Sequence, residues 1–228
     1  MISDNIREIK ERLFVLAKHR FHSEDPVTLL AVSKTRSISD IEAAIQAGQC
    51  AFGENYLQEA YQKIEKLKKY RHLEWHYIGK IQKRKINRLA QYFDWIQTLT
   101  SEDEATKLNA ACEKLSKKIQ VCLQVNISNE SQKNGMMALG IIDLANYIIA
   151  CCPFLSLRGL MVMGGKTNDH HHLSQIFQQA RTHYDRLKMN ASHVDTLSMG
   201  MSHDMVTAIE SGATMVRIGT AIFGERPS

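Results

Sequence analysis

Lys34 ends the apolar run of the stretch "LLAVSKTRS", which spans Leu29 to Ser37. A lysine in that position has two readings. It is the first solvated residue after a buried strand, or it is an amine at the mouth of a pocket that can form a Schiff base with an aldehyde. Two later stretches could hold an anion. In "SMGMSHD", Gly200 permits an unusual backbone turn, and Ser202 is expected at the N-cap of the next helix. Free N–H groups and a partial positive charge gather at such a helix start. In "RIGT", Gly219 lets the backbone approach a ligand closely, and Thr220 adds a hydroxyl and an N–H. Ordinary turn and cap residues would look the same. Arg217 precedes Gly219 by two residues, so on a strand the two share a face. Its side chain then points into the pocket or makes a salt bridge inside the fold.

These residues lie far apart in the chain, so only the fold can bring them together. Ile6, Ile9, Leu13 and Leu16 recur at helical spacing and predict an opening helix. The segments "VTLLAVS", "CAFG", "WHYIG", "DWIQTL", "IQVCLQVNI", "LSLRGLMVM", "DTLSM" and "TMVRIG" then read as buried strands separated by helices. "SDIE" at Ser39 and "SEDE" at Ser101 are expected capping boxes, and Gly48 suits a helix end. Runs buried on both faces and separated by helices mean parallel strands. Eight such units in 228 residues predict an α/β fold, a single (β/α)8 TIM barrel with an extra N-terminal helix. An open doubly wound sheet is the alternative. With 3 prolines and 12 glycines and no linker, one domain over residues 1–228 is expected.

Barrel sites collect at the C-terminal ends of the strands. Lys34 follows the first strand there, and Glu54, Asn55 and Tyr56 follow the second. The "SMGMS" and "RIGT" loops follow the seventh and eighth strands, with which barrels often bind phosphate. A phosphate site at one end of a pocket and a lysine at the other suit pyridoxal 5'-phosphate. Arg217 would face the pyridine nitrogen and keep it unprotonated, which weakens the ring as an electron sink.

Other signals are set aside. A net charge of +5 and a pI of about 8.9 suit anionic ligands but are too weak to imply nucleic acid. The basic run "KIQKRKINR" lacks interleaved aromatics and reads first as a solvated helix face. No run approaches the roughly 18 apolar residues of a membrane span, and the start lacks a signal peptide's apolar core. Five scattered cysteines without a CxxC pair suit reduced thiols, so neither zinc nor disulfides are expected, and the setting is cytoplasmic. "DHHH" at Asp169 reads as a capped helix start, not a metal site. "SHD" at Ser202 is too compact for a catalytic triad. Lys133, after the fifth strand, is read first as a plain loop lysine and second as the holder of a second PLP or a shaper of the rim.

The motifs "LLAVSKT", "FGENYLQEA", "EWHYIG", "QVNIS", "RGLM", "DTLSMGMSHDM" and "MVRIGTAIFG" together resemble the pyridoxal phosphate homeostasis protein family. The resemblance spans nearly the whole chain. It implies an alanine-racemase-like barrel of fold type III of the PLP proteins, without the C-terminal β-domain of alanine racemase. It implies that Lys34 carries PLP as a Schiff base and that Asn55 lies beside the cofactor. It implies phosphate contacts from Ser202, Gly219 and Thr220 in a loop shaped by Gly200 and Met201, with Arg217 at the pyridine nitrogen. Where the family reads "IGxLQxNK", this chain has "IGKIQKRK": Gln82 and Lys85 match, whereas Lys80 and Arg84 depart. His203 replaces a common acidic residue, and the loop after the sixth strand also differs. These changes make the rim more basic.

A racemase needs a second acid/base group opposite the lysine. In alanine racemases a tyrosine of the β-domain supplies it, and this chain ends at Ser228, soon after the eighth strand. The expectation is therefore a monomeric PLP carrier that buffers the cofactor or supplies it to apo PLP-dependent enzymes, without catalysis. The alternatives are an amino-acid racemase and a barrel that binds a phosphorylated metabolite without a Schiff base.

Overall fold

A computed structural model describes residues 1–18, 26–128, 134–165 and 169–225. Helix α1 (Ile2–Lys18) opens the chain and buries Ile6, Ile9 and Leu13, the stripe its spacing predicts. The strands are β1 (Thr28–Val32), β2 (Ala51–Glu54), β3 (Glu74–Tyr77), β4 (Trp95–Leu99), β5 (Ile119–Asn126), β6 (Met136–Met137), β7 (Leu155–Val162), β8 (Thr196–Ser198) and β9 (Met215–Ile218). Between them lie α2 (Ile38–Gln46), α3 (Leu57–Leu67), α4 (Ile86–Tyr92), α5 (Glu102–Lys114), α6 (Ile141–Cys151), α7 (His170–Asn190) and α8 (Met205–Glu210). Helix α9 (Thr220–Phe223) follows β9.

The strands pair in parallel in the order β1-β2-β3-β4-β5-β7-β8-β9, and β9 pairs back onto β1. The ring of eight is closed, as the eight sequence units require. The closing register sets Leu30 beside Arg217 and Ala31 beside Ile218. The pattern of units did not reveal β6. Its two residues pair with Val125 and Asn126 of β5, beyond the last β5 partner of β4 at Leu123.

The main core lies between the outer face of the sheet and the helices, with Phe52, Ile96, Leu99, Phe177 and Leu187 fully buried in it. Two smaller clusters come from strands alone: Leu30, Ala51 and Met215, and Trp95, Cys122 and Met161. They fill the inside of the barrel. Among the described residues, no helix is long and apolar enough to cross a membrane.

Helix starts differ in detail from expectation. The first capping box is made by Ser37 and Asp40, not by Ser39 and Glu42: the Ser37 hydroxyl accepts the Asp40 N–H, and the Asp40 carboxylate accepts the Ser37 N–H. Ser39 instead pairs hydroxyl to hydroxyl with Ser37 at 2.8 Å. At α5 the Ser101 hydroxyl accepts the Glu104 N–H as expected, but the Glu104 carboxylate reaches back to Thr100. Gly48 does end α2, at a φ of +74°. Asp169 caps α7 by accepting the N–H groups of His171 and His172.

Gly159 on β7 has a φ of +153°, and a Cβ there would lie 1.8 Å from the Thr196 carbonyl oxygen. Backbone, not a yielding side chain, occupies that space. The Gly159→Ala variant should therefore lose about 3 kcal/mol or more of folding stability, read from denaturant unfolding. An unchanged midpoint would mean that β7 and β8 do not meet this closely.

Candidate functional site

One cavity of about 230 Å³ opens at the C-terminal ends of the strands. Its lining includes Lys34, Asn55, Met201, Ser202, Arg217, Gly219 and Thr220, all the residues expected there. Val32, Ile78, Met161, Met163 and His203 complete it. The volume lies below the range of drug-sized pockets and suits a small ligand. A hollow of about 430 Å³ is lined by Leu57, Gln58, Arg84, Lys85, Asn87 and Arg88 and by none of the strands, and larger ones of about 570 and 470 Å³ lie at the opposite end, against strand starts such as Thr28, Glu74 and Thr214. That end of a barrel serves stability rather than chemistry, so the smaller cavity is the candidate site.

Lys34 is half-buried, and its neighbours grip the backbone on both sides. The Ser33 N–H donates to the Gly53 carbonyl at 3.0 Å. The Ser33 hydroxyl donates to Glu54 Oε1 at 2.6 Å. A second lysine is buried below: Lys63 Nζ donates to the Ser33 carbonyl, to Glu54 Oε1 and to Glu59 Oε1, at 2.7, 2.8 and 2.5 Å. Glu59 Oε1 also accepts the Thr35 N–H. Thr35 has a φ of +63°, a conformation a β-branched residue adopts only when its surroundings impose it. On the far side the Arg36 guanidinium donates to the carbonyls of Phe223, Gly224 and Glu225.

This support was not read from the sequence, although a signal was present. In α3, Leu57, Ala60, Lys63 and Leu67 share the buried stripe, so Lys63 occupies a core position of an amphipathic helix. A charge placed there needs a partner. Glu54 is that partner. Burial pushes its carboxyl above the ordinary range, while Lys63 and the Ser33 hydroxyl pull it back.

The loop after β8 is built differently from expectation. Gly200 does take an unusual conformation, with a φ of +93°, and a Cβ there would lie 2.6 Å from the Ala208 Cβ. Ser202, however, is not the N-cap of α8. The Met201 N–H donates to Asp204 Oδ1 at 2.5 Å, and the Asp204 N–H donates to the Met201 carbonyl at 3.2 Å. These bonds close a tight turn over residues 201–204 and delay the helix to Met205. Ser202 therefore lines the cavity from a turn. His203 also lines it, with Nε2 3.4 Å from Asp204 Oδ2.

Arg217 is buried and makes four hydrogen bonds. Nη1 donates to the Ser198 carbonyl at 2.8 Å and to the Ser198 hydroxyl at 2.9 Å. Nη2 donates to the Val162 carbonyl at 2.9 Å and to Met163 Sδ at 3.3 Å. These acceptors are neutral, so the expected alternative of a salt bridge is not what holds the side chain. Burial lowers the guanidinium to about 10, which leaves it charged at neutral pH. Four of its five N–H groups are committed, and the fifth, on Nε, has no partner among the described residues. Asn55 Oδ1 is likewise buried without a hydrogen-bond partner.

The cavity thus gathers an amine, a clamped guanidinium, an unsatisfied carboxamide and two hydroxyls. These groups fit PLP, which offers an aldehyde, a ring nitrogen and a phosphate. Lys80 and Arg84, which depart from the family pattern, do not line it. The Lys80 carbonyl accepts the Tyr77 hydroxyl at 3.0 Å, and Arg84, Lys85 and Arg88 line a separate groove. Lys133 lies outside the described residues.

Known proteins resemble the chain over nearly its whole length. The profile of the family "Alanine racemase, N-terminal domain" matches residues 5–227. The pyridoxal phosphate homeostasis protein of Pasteurella multocida is 43% identical over 228 residues, which cover 99% of this chain and 97% of the relative. That of Escherichia coli is 40% identical over 227 residues, with 99% and 97% covered. The structure of PipY of Synechococcus elongatus with PLP bound superposes with a TM-score of 0.87 at 31% identity, covering 98% of this chain and all of the other.

The Glu54–Lys63 pair makes the site costly to alter from beneath. Lys63→Met strands a buried carboxyl and should destabilise the fold by about 3–5 kcal/mol. Glu54→Leu combined with Lys63→Met removes both charges and should recover much of that loss in denaturant unfolding. Equal losses in the single and double variants would mean that the pair is not coupled.

Proposed function

The chain belongs to the pyridoxal phosphate homeostasis protein family, and from that premise we propose that its cavity binds PLP and that the protein buffers or delivers this cofactor. The observation that carries the reading is the meeting of Lys34, Asn55, Arg217, Ser202 and Thr220 around one small cavity. They come from four strand ends, and each offers what one part of PLP requires. Bound there, PLP supplies an electrophilic aldehyde carbon, and the Lys34 amine is the group that joins it as a Schiff base.

The chain's own residues do the rest. Ser202, Thr220 and the Gly219 backbone would hold the phosphate, in a loop shaped by Met201. Arg217 Nε–H would be the donor to the pyridine nitrogen. A charged guanidinium donates a hydrogen bond to that nitrogen but does not give up its proton, so the ring stays a poor electron sink. Asn55 lies beside the ring. This arrangement suits storage better than turnover. The intended recipients are apo PLP-dependent enzymes, and the working form is a monomer in the cytoplasm.

The racemase reading rests on His203, the imidazole that lines the cavity together with Lys34. It shares a turn with Ser202, on the side given to the phosphate, rather than facing Lys34 across the ring.

The test uses purified protein mixed with PLP. A yellow band that borohydride removes, with the label on the Lys34 peptide by mass spectrometry, is the expected result. Transfer of PLP to an apo-enzyme without conversion of L- to D-amino acids is expected alongside it. Label on another lysine of the wild-type chain would overturn the site, steady racemisation would overturn the carrier role, and binding without colour would favour a phosphorylated metabolite.

A further inference from the structure

The buried polar residues inside the barrel form a line. It begins at Arg217 on β9 and passes to Ser198 on β8, whose hydroxyl donates to Gln97 Oε1 on β4 at 2.8 Å. Gln97 Nε2 then meets His76 Nδ1 on β3 at 2.9 Å. His76 Nε2 lies 3.7 Å from Glu74 Oε2 at the N-terminal mouth. Ser198, Gln97 and His76 are each fully buried. The line crosses the barrel between the two apolar clusters that fill it, and Gln97 Nε2 also touches Met215 Sδ at 3.2 Å.

The chemistry of the two ends gives the line a direction. A guanidinium has no acceptor, so the Ser198 oxygen must accept from Arg217 and send its own hydrogen to Gln97. That fixes the Gln97 amide with its NH2 toward His76. His76 Nδ1 must then accept, which places the imidazole proton on Nε2, toward Glu74. A ring whose Nδ1 accepts a hydrogen bond is the neutral tautomer with its one proton on Nε2, and burial, which depresses the basicity of His76, acts in the same direction. His76 stacks on Trp95 with centroids 4.9 Å apart and planes 14° apart, which holds the ring plane.

We propose that Ser198, Gln97 and His76 are positioning residues for Arg217: a one-directional hydrogen-bond chain that keeps its Nη hydrogens on barrel acceptors and leaves Nε–H as the guanidinium's donor to a ligand. The identity of that ligand rests on the PLP reading above, whereas the direction of the chain does not. Without the Gln97 acceptor, the Ser198 hydroxyl is free to rotate, and the guanidinium keeps its carbonyl acceptors but loses the oriented hydroxyl that holds Nη1. The ring nitrogen of bound PLP then loses a charge-assisted bond.

Two measurements test this. In the apo protein, long-range ¹⁵N NMR of the histidines should find His76 protonated on Nε2 with Nδ1 as acceptor. A proton on Nδ1 overturns the chain without any reference to PLP. In the loaded protein, Gln97→Met removes both ends of the amide at similar volume. It should displace the visible band of bound PLP and weaken binding about ten-fold, the effect of losing one bond to a charged group. Gln124→Met, which removes another buried amide from β5 outside the chain, should leave the band in place. Ser198→Ala should act like Gln97→Met, and it takes that variant's place if Gln97→Met does not fold. A folded Gln97→Met or Ser198→Ala protein with the wild-type band and affinity, or a Gln124→Met protein with the same displacement, would overturn the proposal. If the wild type shows no band with PLP, the PLP reading fails and the NMR result alone decides the chain.

Discussion

The pairing of β1 with β9 is the contact on which the site depends. It joins the first strand to the last and places Leu30 beside Arg217. Lys34 leaves the end of one of these strands, and Gly219 and Thr220 leave the end of the other. The Lys34 amine and the Gly219–Thr220 turn are thus neighbours because the ring closes. An open sheet with the same strands would keep every residue and still leave them at opposite edges. Closure also creates an interior, and the interior is where Arg217 finds neutral acceptors on β7 and β8.

The fold was legible in the sequence because its signals are long and repeated. Eight apolar runs between amphipathic helices specify parallel strands, and α1 shows a clear stripe. The site was legible through position: Lys34, Asn55, Arg217 and Thr220 each follow or end a strand. Detail failed where short-range competition decides. Ser37 and Ser39 are both good caps, and Ser37 captures the Asp40 box. Ser202 looked like a cap because a helix follows, but Asp204 draws the Met201 N–H into a turn first. The strand β6 has two residues, too few to show any period.

What reading the motifs missed was the polar support under them. His76, Gln97 and Ser198 each place a fully buried polar side chain on a barrel strand. Lys63 interrupts the buried stripe of α3. Each is a polar group where desolvation is expensive, so each asked for a partner that only the tertiary structure could name. The partners lie up to 118 residues away, as with Gln97 and Met215. Local patterns do not carry information over that distance. The two sets of buried groups divide the work: Glu54, Glu59 and Lys63 fix the backbone around Lys34, and the interior line bears on Arg217.

The bonds from Arg36 to the carbonyls of Phe223, Gly224 and Glu225 link the loop of Lys34 to residues made almost 190 positions later. A ribosome releases the lysine long before these carbonyls. Until β9 emerges, the nascent chain has the amine but neither the guanidinium nor the Gly219–Thr220 turn. The barrel closes through contacts of very long sequence separation, which slows folding. Assembly of the cavity therefore waits for β9, and a chain without that strand exposes Lys34 with no cavity around it.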